Sequence, residues 1–170
     1  MPTLSPAVIA YALQRNHPDI YQKLQDDISS TLPSGRVNDV TLLSQIVKDF
    51  CSFLSLDNTN WKQSRSKVCC SFRVETKRDC RITELREILL GVILLYYHPE
   101  RIYQLMPGQI KSGLIKELTK LLNVDKATLS LSANNAITYF KAYKGFYDDV
   151  QHVYNELNLK HNYLGTHGNN

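Results

Sequence analysis

The chain has 170 residues, 43% of them hydrophobic and 21% charged, which provides apolar surface for a buried core and excludes global disorder. Its longest apolar run, "ILLGVILLYY" from Ile88 to Tyr97, falls well short of the roughly twenty residues of a membrane span and reads as a helix buried on several sides. The net charge of +4 is concentrated in one place: Lys62, Arg65, Lys67, Arg73, Lys77, Arg78 and Arg81 stand against only Glu75 and Asp79, the composition of an anion-contacting arm.

In chain order, Ser5-Pro6 offers an N-cap followed by proline at the first helical position, so a first helix is expected from there to about Arg15. The opening residues lack a basic start followed by an apolar block, so the reading is of a cytoplasmic protein without a leader. A second helix is expected from near Pro18, with Ile20, Leu24 and Ile28 spaced four apart. Pro33 and Gly35 break the pattern. A third, amphipathic helix follows, capped by Asn38 or Asp39, with Leu43, Ile46, Val47, Phe50 and Leu54 on one face.

From Asp57 to Asp79 no regular pattern holds. Val68, Cys70, Phe72 and Val74 alternate as in a strand, but no second strand is evident; the segment is expected to be irregular, with a helix as the competing possibility. Cys51, Cys69, Cys70 and Cys80 contain no Cys-x-x-Cys spacing and read as reduced, buried small side chains. A long helix then runs from about Arg81 to Tyr97, ended by His98-Pro99. A helical turn after Pro99 breaks at Pro107-Gly108. Further helices cover Ile110 to Leu122, Lys126 to about Tyr143 and the stretch "FYDDVQHVYNELNL". The final "HNYLGTHGNN" is expected to fray.

The fold class expected is therefore all-α, a helical bundle. Its expected organisation is an N-terminal helical lobe over 1–57, a basic irregular segment over 58–80, a C-terminal lobe over 81–160 and a tail over 161–170. The five histidines are scattered and no glycine-rich phosphate loop occurs. Asp26-Asp27 read as a solvated face and Asp148-Asp149 as favouring the dipole of the last helix. The tyrosines from Tyr139 to Tyr154 read as packing. No enzyme, metal or cofactor is expected.

The most informative stretch is "KELTKLLNVDKATLSLSANNA", from Lys116 to Ala136. Leu118 and Leu122 take the apolar positions of a first helix, with Thr119 in a small slot between them. Asn123 sits where a left-handed conformation is needed, Val124 is the buried turn residue, and Asp125 caps the next helix. On that helix Leu129, Ala133, Ala136, Ile137 and Phe140 form one stripe; Ala127, Leu131, Asn134, Asn135 and Thr138 form the other. Asparagine pairs with adenine through two hydrogen bonds, and small apolar groups meet the thymine methyl. Lys116, Lys120, Lys126 and Lys141 surround the unit as candidate phosphate contacts.

"ELTKLLNVDKATLSLSAN" resembles the helix-turn-helix of lactose-repressor-type regulators. More loosely, it is similar to the C-terminal DNA-binding domain of the bacterial replication initiator. The resemblance implies that Asp125 and Thr128, close to the turn, contact DNA; Ser130 is a further candidate contact on the same helix. It departs at Ser132, where a larger apolar residue is usual, and at Leu131, where a polar or basic reader is usual. The expected partner is double-stranded DNA with an A·T-containing site, bound as a transcriptional or replication accessory factor of a phage or mobile element. A homo-oligomer fits that role. The basic segment would add phosphate contacts through Arg65, Lys67, Lys77 and Arg78. The alternative is a helical assembly or adaptor protein using the same helices for protein contacts.

Overall fold

The computed structural model describes residues 12–31, 40–56, 59–73, 76–103, 110 and 112–166. The expected helix start at Ser5-Pro6, the break at Pro33–Gly35, the cap at Asn38 or Asp39 and the break at Pro107-Gly108 lie outside these residues. In order, the elements are α1 (Pro18–Thr31), α2 (Val40–Leu54), β1 (Lys67–Arg73), β2 (Thr76–Arg81), α3 (Ile82–Tyr97), α4 (Pro99–Ile102), α5 (Ser112–Leu122), α6 (Lys126–Ala142) and α7 (Lys144–Thr166). Among the described residues no helix is long and apolar enough to cross a membrane.

The molecule is organised around α3. Thirteen of its residues are buried, Ile88 to Leu95 without interruption, because α2, α6 and α7 pack around it. Gly91 permits the close approach of α7: a Cβ there would lie 3.0 Å from Val150 Cγ2. α2 contributes Leu43, Ile46, Val47, Phe50 and Leu54 to the same core, as its spacing predicts. It ends at Ser55, whose φ of 58° turns the chain so that Leu56 N–H reaches the Cys51 carbonyl at 2.7 Å. His98 closes α3 by donating its N–H to the Leu94 carbonyl at 2.8 Å, and Pro99 opens α4.

The basic segment is the first departure from expectation. Lys67–Arg73 and Thr76–Arg81 pair as antiparallel strands, with Val68 opposite Cys80 and Cys70 opposite Arg78, so the expected largely all-α fold carries one small two-stranded sheet where an irregular segment was expected. The inner face carries Val68, Cys70, Phe72, Arg78 and Cys80, and the outer face Lys67, Cys69, Lys77, Asp79 and Arg81. Arg78 lies over the Phe72 ring at 4.9 Å and pairs with Glu84 at 2.9 Å and Asp149 at 2.6 Å. The Arg78 side chain is itself exposed and covers the Phe72 ring from outside. Cys69 is exposed, against the expectation that it is buried; Cys70 and Cys80 are buried, and burial pushes both thiols up. Such thiols are poorly reactive.

Three further expectations change. The first two helices are nearly continuous across His17: His17 N–H bonds the Leu13 carbonyl, and Tyr21 N–H bonds the His17 carbonyl. Ile20 and Leu24 of α1 are 51% and 45% exposed. The expected frayed tail is helical through Thr166, and residues 167–170 lie outside the described range. Finally, α7 begins at Lys144, which puts Asp148 and Asp149 beyond its first turn. Asp148 pairs with Lys144 at 2.6 Å and Asp149 with Arg78.

Candidate nucleic-acid interface

α5 and α6 meet across Asn123, Val124 and Asp125, and each turn residue has the geometry its chemistry favours. Asn123 adopts φ 51°; short polar side chains tolerate this left-handed region better than other non-glycine residues. Val124 is buried. Asp125 has extended backbone angles and caps α6: Oδ1 accepts the Thr128 N–H at 2.8 Å, and Oδ2 accepts the Thr128 hydroxyl at 2.6 Å. Those bonds, the side-chain one foremost, hold the Asp125 carboxyl below its ordinary range. On α5, Leu118 and Leu122 are buried, and the Thr119 hydroxyl donates to the Ile115 carbonyl at 2.9 Å.

α6 divides into two faces. Leu129, Ala133, Ala136, Ile137 and Phe140 are buried against the core, joined by Ser132. That a serine is buried there fits the close approach of α3 and α6, which leaves little room for a larger side chain. Ala127, Leu131, Asn134 and Thr138 face solvent. The Thr138 hydroxyl donates to the Asn134 carbonyl at 3.0 Å, which leaves its lone pairs outward. Ser130 is half-buried.

Asn135 departs from the expected outer stripe. It is half-buried, and its Nδ2 donates at 2.9 Å to Oε1 of Glu87 on α3. Burial raises the Glu87 carboxyl above its ordinary value, against the opposing effects of the Asn135 bond and Arg86. Asn135 therefore anchors α6 to α3 and is not aimed outward.

The cations distribute unevenly. Lys116, Lys120, Lys126 and Lys141 are exposed around the α5–α6 unit, with Lys120 paired to Glu117 at 2.7 Å. Arg65 is exposed in the loop before β1, and Lys67 and Lys77 on the outer face of the hairpin. That hairpin packs against α2, α3 and α7. Arg78, expected as a phosphate contact, has its charge engaged by Glu84 and Asp149.

One part of the basic segment does join the unit. Lys62 and Ser64 line a cleft with Asn123, Asp125 and Thr128, and Arg86 of α3 completes the wall. Arg86 is the residue that sequence reasoning missed. Its signal was present: Arg86-Glu87 is a charged pair directly before the apolar run from Ile88 to Tyr97.

Among the described residues no group of three His, Cys, Asp or Glu side chains is placed to hold a metal ion. Comparison of the chain with protein-family models, with curated proteins and with solved structures yields no match.

Proposed function

We propose that the chain binds double-stranded DNA, with α6 presented to the major groove and the surrounding lysines on the phosphates. The observation that carries this reading is the two-faced character of α6. One stripe is locked into the core, while Ala127, Leu131, Asn134 and Thr138 stay in solvent behind an Asp125-capped start. A helix held so rigidly along one face can place the other within the tolerance that base-edge hydrogen bonding needs. Asn134 supplies the amide that pairs with adenine, and Ala127 and Leu131 supply apolar contact for the thymine methyl. Lys116, Lys120, Lys126 and Lys141 are the phosphate contacts around it. A regulatory or replication accessory role follows from such a reader.

Randomised duplex DNA, with binding measured at two salt concentrations, tests the proposal. Selection of a preferred site, with affinity falling steeply as salt rises, is the expected result. Asn134→Ala should leave thermal stability within about 0.5 kcal/mol and cost about 1–3 kcal/mol of discrimination at one base pair. Uniform weakness toward every duplex, unaltered by Asn134→Ala, would sink the reading.

One observation favours a second reading. Leu131, 63% exposed at the middle of the outer stripe, is also what a protein-contacting helix presents. A helical adaptor would bind its partner through Leu131 and would show no selective DNA binding.

A further inference from the structure

The cleft beside the α5–α6 turn encloses about 470 Å³ and contains an unusual cation. Arg86 is only 2% exposed. One terminal nitrogen donates to the Trp61 carbonyl at 2.9 Å and the other to the Ser64 hydroxyl at 3.3 Å. Its Nε–H is buried with no partner among the described residues, and no described carboxylate lies within ion-pair distance of it. Glu87 and Asp125 reach it only through the longer-range field. A buried guanidinium normally has an anion against it, since desolvation of an unpaired charge is costly. Among the described residues no anion lies against it.

The rest of the wall supplies what an anion needs. Lys62 adds a second cation from the loop that Arg86 pins down. Asp125 and Thr128 mark the N-terminal end of α6, a helix of seventeen residues, whose dipole favours negative charge there. Among the described residues Asp125 is the one carboxylate on the wall, and both of its oxygens are engaged by Thr128. Two cations against one carboxylate leave a single positive charge. That balance suits a singly charged phosphodiester, whereas a phosphate monoester approaches two charges at neutral pH and would be repelled by Asp125.

We propose that this cleft seats one backbone phosphate of duplex DNA, held by Lys62 and the guanidinium edge of Arg86 at the N-terminal end of α6. The assignment rests on the DNA reading above and adds to it the contact that fixes where α6 enters the groove. Arg86 has a double role in it, since the same guanidinium positions the Lys62 loop.

The test uses the full chain and duplex DNA of mixed sequence, with anisotropy followed across a salt series. Lys62→Gln should reduce the log–log salt slope by about 0.9, weaken binding to all sequences alike and leave site preference unchanged. Asp125→Asn keeps a competent cap and removes a negative charge beside the phosphate, so affinity should rise several-fold; an unchanged affinity counts against a phosphate seated there. Lys48→Gln, on exposed α2 surface, should leave the slope as it is. An unaltered slope in Lys62→Gln, or an equal change in Lys48→Gln, overturns the phosphate site while leaving the DNA reading in place. No duplex binding by the unmodified chain overturns both. In a second arm the Arg86 Nε–H resonance, assigned through Arg86→Lys, should move on addition of DNA. A saturable response to inorganic phosphate with none to DNA would make the cleft a free-ion site and overturn the assignment.

Discussion

Asn123 holds a φ of 51° between two helices, so the turn that sets α6 on α5 depends on one residue's tolerance of the left-handed region. Asn123→Gly should be neutral or slightly stabilising, because glycine meets no Cβ penalty there and loses only chain entropy. Asn123→Val should lose about 1–3 kcal/mol in urea unfolding, since a β-branched side chain resists positive φ. Equal stability of the two variants would mean that the turn does not need this conformation. Glu87 gives a second test at the same scale. Burial raises its carboxyl above the ordinary 4.5, so the folded state binds this proton more tightly than the unfolded chain does. Its contribution is then most favourable below 4.5, declines as pH rises through the raised value, and levels off above it. Glu87→Gln keeps an acceptor for Asn135 and removes the buried charge. It should melt higher than the parent at pH 7, with the difference closing toward pH 4. A lower melting temperature at pH 7 would show that Arg86 stabilises the charge beyond what burial costs.

Among the elements, α3 has the least freedom. Gly91 faces Val150, whose two methyl carbons would lie 3.0 and 3.2 Å from an added Cβ. Val150 is fully buried and β-branched, with little room to turn away. Gly91→Ala gains up to about 1 kcal/mol of helix propensity but forces α3 and α7 apart, and overpacking costs typically about 1–3 kcal/mol. The expected net effect is destabilisation, read as a lower urea midpoint; a more stable variant would show that α7 yields. The helices around α3 were legible from their spacing, because Leu43, Ile46 and Phe50, or Leu129, Ala133 and Phe140, each bury one stripe. The hairpin was not. β2 presents only Arg78 and Cys80 inward within the described face, and a strand whose inner positions are an arginine and a cysteine carries no hydrophobic alternation to find. α1 shows the converse. Ile20 and Leu24 have helical spacing, which correctly gives a helix, yet periodicity says nothing of what the stripe packs against. In the candidate interface, the turn and the outward residues Ala127, Leu131, Asn134 and Thr138 followed from local rules. Asn135 and Arg86 did not, because their roles depend on partners 48 and 25 positions away in the chain.

At the scale of the molecule, one core runs from Leu43 of α2 to Leu157 of α7. The hairpin is held in place by a distant part of the sequence. Its clamp, Arg78 to Asp149, closes across 71 positions, and β1 packs on α7. During synthesis, at about 5–20 residues per second, the hairpin leaves the ribosome seconds before the helix that covers it. For that interval Cys70, Phe72 and Cys80 have no lid, and the nascent chain displays a short, open sheet edge. Its outer face carries Lys67, Lys77 and Arg81, and charge on an exposed strand discourages pairing with neighbouring chains.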